Sequence, residues 1–481
     1  MTETARRWLL AACFASALAP KPTLAHDGPA AHDHAPPTPV ADAVIHRPTA
    51  VPDRIIRTFA GDPATSIAVT WRTDAGVSKG VAQIAPADAG SKFPASAKTF
   101  EATATLMTTD LGEARSHSVV FEGLTPSVTY AYRVGDGVNW SEWVHAKTAS
   151  EKPEPFSFVY FGDAQNDVKS LWSRVIRGAY SDASKASFIV HAGDLINRAN
   201  QDALWGEWFG AGGWVNAMVP SIPTPGNHEY ERPKAPEPAP GENPPEPAKA
   251  VLSRHWRPQF ALPMNGPAGL EETVYYVDYQ GVRIIALNSN DQIEAQVPWL
   301  EGVLAGNPNK WTILTFHHPI YSPTKNRNNS TLRDLWQPVF DRYKVDLVLQ
   351  GHDHTYARTG PMVHSNVPGG GAHRDDEGGT VYVVSVSGPK MYQLGREDWM
   401  RRAAEDTQLY QIIRIDGDTL KYESRTAVGD LYDGFSLLKR EGLPNRLIEQ
   451  RPTTPERLRP ATPKAPAAAP APVPAAAGGK G

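Results

Sequence analysis

The chain of 481 residues is 41 % hydrophobic and 21 % charged, which suits a sizeable core and argues against wholesale disorder. At roughly 150 residues per domain, its length predicts two or three domains. A net charge of −4 gives no electrostatic footprint for nucleic acid, and the single cysteine, Cys13, excludes an intramolecular disulfide.

The N-terminus has the pattern of an export signal. Arg6 and Arg7 precede an apolar run from Trp8 to Ala19, which is too short to span a bilayer as a helix. Small residues then offer cleavage after Ala19 or Ala25, so residues 1–25 are expected to be a signal peptide. Arg6-Arg7-Trp8-Leu9-Leu10 resembles a twin-arginine signal. Leu10-Ala11-Ala12-Cys13 is similar to a lipidation box, but the apolar stretch before Cys13 is short for one. No later apolar run is long enough for a membrane span, and the expected location is periplasmic or secreted. Residues 26–52 are rich in Pro, Ala and His without a hydrophobic period and read as a flexible linker. His26, His32 and His34 lie in it without the cysteines or fixed spacing of a metal site.

From residue 53 to 148 the pattern changes to period two. Ile67, Val69 and Trp71 alternate with small or polar residues, as do Val128, Tyr130, Tyr132 and Val134. Turn residues separate the runs, so about seven antiparallel strands and a β-sandwich are predicted. Gly123-Leu124-Thr125-Pro126, ahead of the Tyr-rich strand, resembles a fibronectin type III domain. The segment holds no cluster of catalytic residue types and reads as a spacer packed on the next domain.

Residues 153–440 alternate strands with helices. Phe156 to Phe161, Ser187 to His191, Trp311 to Phe316 and Asp346 to Gln350 read as buried strands. Helical spacing marks Asp167 to Tyr180 and Leu332 to Tyr343, and Thr273 to Asn288 reads as a hairpin turning at Gln280-Gly281. The prediction is an α/β domain with a partly parallel sheet. A Pro-rich insertion at 233–250 interrupts it, readable as a lid or as a solvated loop, and a disordered Pro/Ala-rich tail is expected over 451–481.

Five motifs fall at strand ends of this domain. They are Gly162-Asp163-Ala164-Gln165, Gly193-Asp194-Leu195-Ile196-Asn197, Gly226-Asn227-His228-Glu229, His317-His318-Pro319 and Gly351-His352-Asp353-His354. Glycine lets the chain turn sharply out of a sheet, and the next residue then sits at its carboxyl edge, where α/β folds place their sites. Singly each motif has a bland explanation: helix capping for the aspartates, packing for the histidines. Together they assemble oxygen and imidazole donors suited to Zn, Mn or Fe. Six or seven donors exceed one tetrahedral ion and match two ions about 3.5–4 Å apart, the device of phosphate-ester hydrolysis.

On these five motifs, the chain resembles the calcineurin-like metallophosphoesterases. It is closest to their purple acid phosphatase branch, which carries a fibronectin III-like domain ahead of the catalytic one. The resemblance covers about residues 53–440. It implies two mixed β-sheets packed face to face and flanked by helices, preceded by an all-β sandwich. It further implies that Asp194 bridges two ions, that Asp163 and His354 bind the first, and that Asn227, His317 and His352 bind the second. His228 would lie beside the phosphoryl group, and a hydroxide held by the metals would attack phosphorus in line.

Three departures from the family pattern matter. Where the purple enzymes have a tyrosine three residues after the second aspartate, this chain has Asn197, so the purple colour and a strong Fe(III) preference are not expected. Where other relatives place a histidine two residues after the first aspartate, it has Gln165. The fourth ligand of the first ion is therefore Asn197, Gln165 or water. Downstream of His317, Asn326 and Arg327 replace further histidines of the plant-type enzymes, and Arg327 is a candidate phosphate clamp. Tyr321, Tyr356 and His255 are candidates for the pocket, His318 for support of its loop, and Asp353 for a hydrogen bond to a ligand histidine.

The expected function is an exported dinuclear-metal phosphomonoesterase using Fe, Zn or Mn, with a small-molecule phosphate ester as partner. A phosphodiesterase of the same fold is the near alternative. A surface-binding protein with a vestigial metal site is the alternative of another class, and the intact donor set argues against it.

Overall fold

The chain alternates buried and exposed residues over short runs and turns at Gly, Pro and Asx, and strands dominate the outcome. The computed structural model describes residues 38–233, 248–364 and 378–460. The expected signal peptide, residues 26–37 of the linker, most of the Pro-rich insertion and the tail beyond residue 460 lie outside them.

The N-terminal segment forms the expected sandwich. One of its sheets is built from Lys98–Glu101, Val81–Pro86, Thr129–Gly135 and Val144–Lys147. The facing strands are Thr103–Thr109, Gly112–Phe121, Ile67–Asp74 and Asp53–Thr58. Ile67, Val69 and Trp71 from one sheet meet Ile84, Tyr132 and Val134 from the other in a common apolar cluster. The Thr125 amide donates to the Tyr130 hydroxyl at 2.9 Å, the corner contact typical of such sandwiches.

This sheet does not end at the domain boundary. Asp53–Thr58 pairs in parallel with Ser221–Pro223, and the ladder continues through Ile189–His191, Phe156–Phe161, Leu409–Asp416, Thr419–Thr426, Leu431–Arg440 and Leu443–Gln450. Eleven strands form one sheet. Its three central strands, Phe156–Phe161, Ile189–His191 and Ser221–Pro223, are parallel.

A second, seven-stranded sheet runs Tyr275–Tyr279, Val282–Ala286, Trp311–Phe316, Leu347–Gln350, Thr380–Val384, Tyr356–Met362 and Met400–Ala404. The hairpin turns where expected, with Gln280 at φ 45° and Gly281 at φ 87°, the two left-handed residues that a tight turn between twisted strands requires. Val282–Ala286 through Thr380–Val384 are parallel. The two mixed sheets pack face to face: Phe158, Ile189 and Ile412 of one share a core with Ile284, Ile313 and Leu349 of the other. Helices flank the pair. Ser173–Asp182 turns Val175, Ile176 and Ala179 inward, and Ser330–Arg342 covers the second sheet with Leu332, Trp336, Val339 and Phe340.

Two boundaries differ from the sequence expectation. The catalytic sheet extends past residue 440, because Leu443–Gln450 pairs antiparallel with Leu431–Arg440. Residues 451–460, expected to begin a disordered tail, run along Met400–Ala404 and its flank. The Glu405 amide donates to the Arg457 carbonyl at 2.7 Å, and Arg459 pairs with Asp406 at 2.6 Å. These residues are polar and Pro-rich, but they supply hydrogen bonds that an outer strand would otherwise lack. No helix among the described residues is long and apolar enough to cross a membrane.

Candidate metal centre

Each motif residue sits just past the carboxyl end of a parallel strand. Asp163 follows Phe156–Phe161, Asp194 follows Ile189–His191 and Asn227 follows Ser221–Pro223, all from the first sheet. His317 follows Trp311–Phe316, while His352 and His354 follow Leu347–Gln350, from the second. Packing the two sheets brings these loops to one place.

The glycines are close-approach residues. A Cβ on Gly226 would overlap Asp194 Oδ1, one on Gly351 would overlap Asp163 Oδ1, and one on Gly193 would meet His317 Nδ1 at 2.6 Å. Asp194 and His352 themselves hold positive φ, 52° and 69°, conformations costly for side-chain-bearing residues and typical of functional sites.

The donors form two triads that share a carboxylate. Asp163, Asp194 and His354 offer three atoms mutually within 4.8 Å, as do Asp194, His317 and His352. Asn227 Oδ1 joins the second, 3.0 Å from His317 Nε2 and 2.9 Å from His352 Nδ1. Asp163, Asp194, His317 and His354 are buried, whereas Asn227 is exposed and the His228 side chain is 28 % exposed. The cluster is closed below and open on one side.

Protein carbonyls orient two of the histidines. His317 Nδ1 lies 2.9 Å from the Ala192 carbonyl and His354 Nδ1 2.8 Å from the Lys390 carbonyl. A ring whose Nδ1 proton faces a carbonyl turns a bare Nε2 toward the cluster, the arrangement usual for metal-binding histidine. His318 lies outside the triads. Its Nδ1 is 2.9 Å from Ser289 Oγ and its ring rests 4.2 Å from that of His352, so it supports the loop as expected.

The cluster calls for positive charge. Burial alone would lower the His317 pKa, but Asp194 and Asp163 outweigh it and hold it at about 10. His352 is pushed the other way, by burial and by the neighbouring His317, His318 and Arg327. Asp163 Oδ2 is buried 3.0 Å from His354 Nε2, and Gln165 Oε1 is buried without a hydrogen bond. Gln165 Nε2 lies 2.8 Å from Asp194 Oδ2 and 3.4 Å from His354 Nε2. Turning that amide over places its unpartnered oxygen among the donors of the first triad, a position an oxygen accepts only beside a cation. The donor set therefore fits one ion in each triad.

Asn197, the other candidate fourth donor, is placed differently. It faces the neighbouring cleft, and its backbone carbonyl lies 2.6 Å from His228 Nδ1. That contact pins the His228 ring, leaving Nε2 4.0 Å from Asp194 Oδ2. The His228 amide also donates to Asp194 Oδ1 at 2.9 Å.

Arg327 stands at the rim. Nη1 donates to Asp353 Oδ1 at 2.7 Å, and the guanidinium lies 4.8 Å from the Tyr392 ring centroid. Its charge is taken up by Asp353. That aspartate accepts from Ser322 and Arg327, so the expected hydrogen bond to a ligand histidine is replaced by one that anchors the loop. Three further expectations are corrected. Tyr321 is buried against Gln337, Tyr356 is buried against Asp433, and His255 lies 3.3 Å from Asp202 in a buried network away from the cluster.

Glu229 is the residue that sequence reasoning passed over. It is fully buried, and its carboxylate accepts from the amides of Asp194 at 2.8 Å, Leu195 at 2.9 Å and Gly226 at 2.7 Å. It thus ties together the two loops that carry Asp194 and Asn227. Burial and the Asp194 charge push its carboxyl up to about 8, a repulsion that a cation at Asp194 would relieve. The signal was present in the motif as an acidic residue directly after Asn227-His228, but two of its partners, Asp194 and Leu195, lie over thirty residues away.

Fold and donor set together define an α/β protein of two packed mixed sheets with a candidate two-ion centre at their common edge. Residues 156–356 match the family model for calcineurin-like phosphoesterases, and residues 52–148 match that for the N-terminal domain of purple acid phosphatases. Among curated proteins, the chain is 27 % identical over 292 residues to the Fe(3+)-Zn(2+) purple acid phosphatase 12 of Arabidopsis thaliana, covering 56 % of this chain and 59 % of that one. It is 25 % identical over 330 residues to a phosphoenolpyruvate phosphatase of Allium cepa, covering 64 % of each. It thus spans less than two thirds of those relatives' own length. Among solved structures, a purple acid phosphatase from yellow lupin (Lupinus luteus) seeds matches in fold with a TM-score of 0.65 and 18 % identity, covering 81 % of this chain and 75 % of that one. The chain belongs to the calcineurin-like phosphoesterases, in the purple acid phosphatase-like branch.

Proposed function

We propose that this protein is an exported, dinuclear-metal phosphoesterase that hydrolyses phosphate monoesters. The observation that carries the reading is the pair of donor triads sharing Asp194, open on the side where His228 lies. In this reading Asp163, Asp194, His354 and Gln165 hold one ion, and Asp194, Asn227, His317 and His352 hold the other. Zn, Mn and Fe all suit such oxygen and imidazole donors. When bound, such an ion pair acidifies water to supply the nucleophile and neutralises charge on the phosphoryl oxygens.

The chain's own groups do the rest. Asn197 fixes the His228 ring through Nδ1, so the proton His228 delivers comes from Nε2, to the leaving-group oxygen. Ala192 and Lys390 hold His317 and His354 in the tautomer that keeps Nε2 bare. Glu229 keeps Asp194 and Asn227 in register. Export is supported by the N-terminal signal pattern.

The test is elemental analysis of the purified full chain, run with hydrolysis of an aryl phosphate monoester and the matching diester. Two equivalents of metal with monoester turnover are expected. Two equivalents with turnover of the diester alone would assign the chain to the diesterases, and inactivity after Fe, Mn and Zn are each supplied would refute catalysis.

A further inference from the structure

Next to His228 the surface opens into a cleft of about 680 Å³. Asn227 and His228 line it, so the cleft shares a wall with the candidate metal centre. Three arginines project into it from three separate segments: Arg198 follows the Asp194 loop, Arg232 follows Tyr230–Glu231, and Arg254 follows Val251–Leu252. Among the described residues none of the three pairs with a carboxylate. Arg254 spends one donor on the neutral Thr108 carbonyl, at 3.1 Å, and no hydrogen bond engages the guanidinium of Arg198 or Arg232.

The two acids that line the cleft, Asp110 and Glu231, each accept from a neutral amide. Asp110, at the tip of the N-terminal hairpin, accepts from the Asp202 amide at 2.8 Å, at the start of the helix Asp202–Gly212. Glu231 accepts from the side-chain amide of Asn200. Among the described residues three arginines therefore line one space with two carboxylates, an excess of positive charge. That arrangement is stable when an anion is supplied from outside, and arginine's planar fork matches phosphate and carboxylate oxygens.

We propose that the cleft is a second anion subsite. It would bind a phosphate or carboxylate carried on the leaving group of the ester whose scissile phosphoryl sits at the metal centre. The substrate class is then a phosphomonoester with a second anionic group, held so that its ester oxygen lies at His228. This rests on the phosphomonoesterase reading for its catalytic half only; the anion site itself stands on the arginines.

Three probes separate the possibilities: glucose 6-phosphate has one anionic group, glucose 1,6-bisphosphate adds a phosphate, and 6-phosphogluconate adds a carboxylate. Binding of each to the full chain is measured calorimetrically in EDTA, where turnover does not interfere, and kcat/KM is measured on the metal-supplied protein. The wild type is expected to bind at least one of the probes with two anionic groups about tenfold or more tighter than glucose 6-phosphate, the scale of one charge-assisted contact. The preferred probe identifies the second group.

In the variants Arg198→Gln, Arg232→Gln and Arg254→Gln, and in the triple variant, that ratio is expected to fall toward one. All three side chains are exposed, and an unchanged melting temperature would show the fold is intact. A preference seen in binding but without turnover would uphold the subsite and refute the phosphomonoesterase reading. No preference in the wild type, or a preference that survives the triple substitution, would overturn the proposal.

Discussion

His228 and Asn227 are adjacent in sequence yet do different work. Asn227 turns its side-chain oxygen into the cluster, while His228 turns its ring outward and is held by the Asn197 carbonyl. His228→Ala is therefore expected to keep the wild-type metal content and to lose about 10²–10⁴-fold in kcat on an alkyl phosphate, the usual contribution of a general acid. The loss on 4-nitrophenyl phosphate should be much smaller, because that leaving group departs without a proton. Full kcat on the alkyl ester would remove His228 from its role. The donors of this site were readable in the sequence because each is announced locally, by a strand, a glycine and a metal-binding residue type. The choice between Gln165 and Asn197 was not, because both stand near the predicted centre in sequence and only the turn of each loop separates them. Glu229 was hidden for a related reason, since its role is to accept amides from the Asp194 loop as well as from its own. Arg327 read as a free phosphate clamp because nothing local announces Asp353 as its partner.

At the level of elements, the helix Asp202–Gly212 joins the two domains through its first residue. Asp202 pairs with Arg54 at 2.7 Å and Arg72 at 3.1 Å, from two strands of the N-terminal sandwich, and lies 3.3 Å from His255. All of these side chains are buried. Removing one partner of a buried ion pair leaves the others uncompensated, so Asp202→Ala is expected to destabilise the protein by about 3–5 kcal/mol. The urea midpoint measures it. Asp53→Ala, which removes a more exposed partner of Arg72, should cost much less, and equal effects would show that the network carries no special weight. The strands and helices on either side were legible from their periodicity. This junction was not, because Arg54 and Asp202 are 148 residues apart and no local pattern links them. The N-terminal domain read as a spacer. That reading missed both the shared ladder at Thr58 and Ser221 and the hairpin that carries Asp110 to the cleft.

Across the whole molecule, one eleven-stranded sheet runs from the N-terminal sandwich to the last strand, so the stability of the far edge bears on the site at its centre. Charged groups reinforce that edge. Burial tends to raise the Glu423 pKa, but hydrogen bonds from Lys421, Arg414 and Arg425 outweigh it and hold it at about 2. Asp202 is likewise depressed: burial opposes ionisation, and His255, Arg54 and Arg72 overcome it. For both groups the folded pKa lies below the unfolded value, near 4 for such carboxyls. Their contribution is therefore complete above about pH 5 and is lost as the pH falls toward 2. The share of the urea midpoint that these two carboxylates supply, read as the difference between wild type and their variants, should be flat from neutral pH to about 5 and fall steeply below it. Glu423→Gln should be less stable than wild type at pH 7, and the gap should close toward pH 2, where the wild-type carboxyl also takes a proton. A gap of the same size at both pH values would mean that Glu423 acts through packing and that its charge adds nothing to the edge. Because the ladder is continuous from Glu423 through Ile412 and Val159 to the strand that presents Asp163, loss of that edge is expected to carry the Asp163 loop with it over the same pH interval.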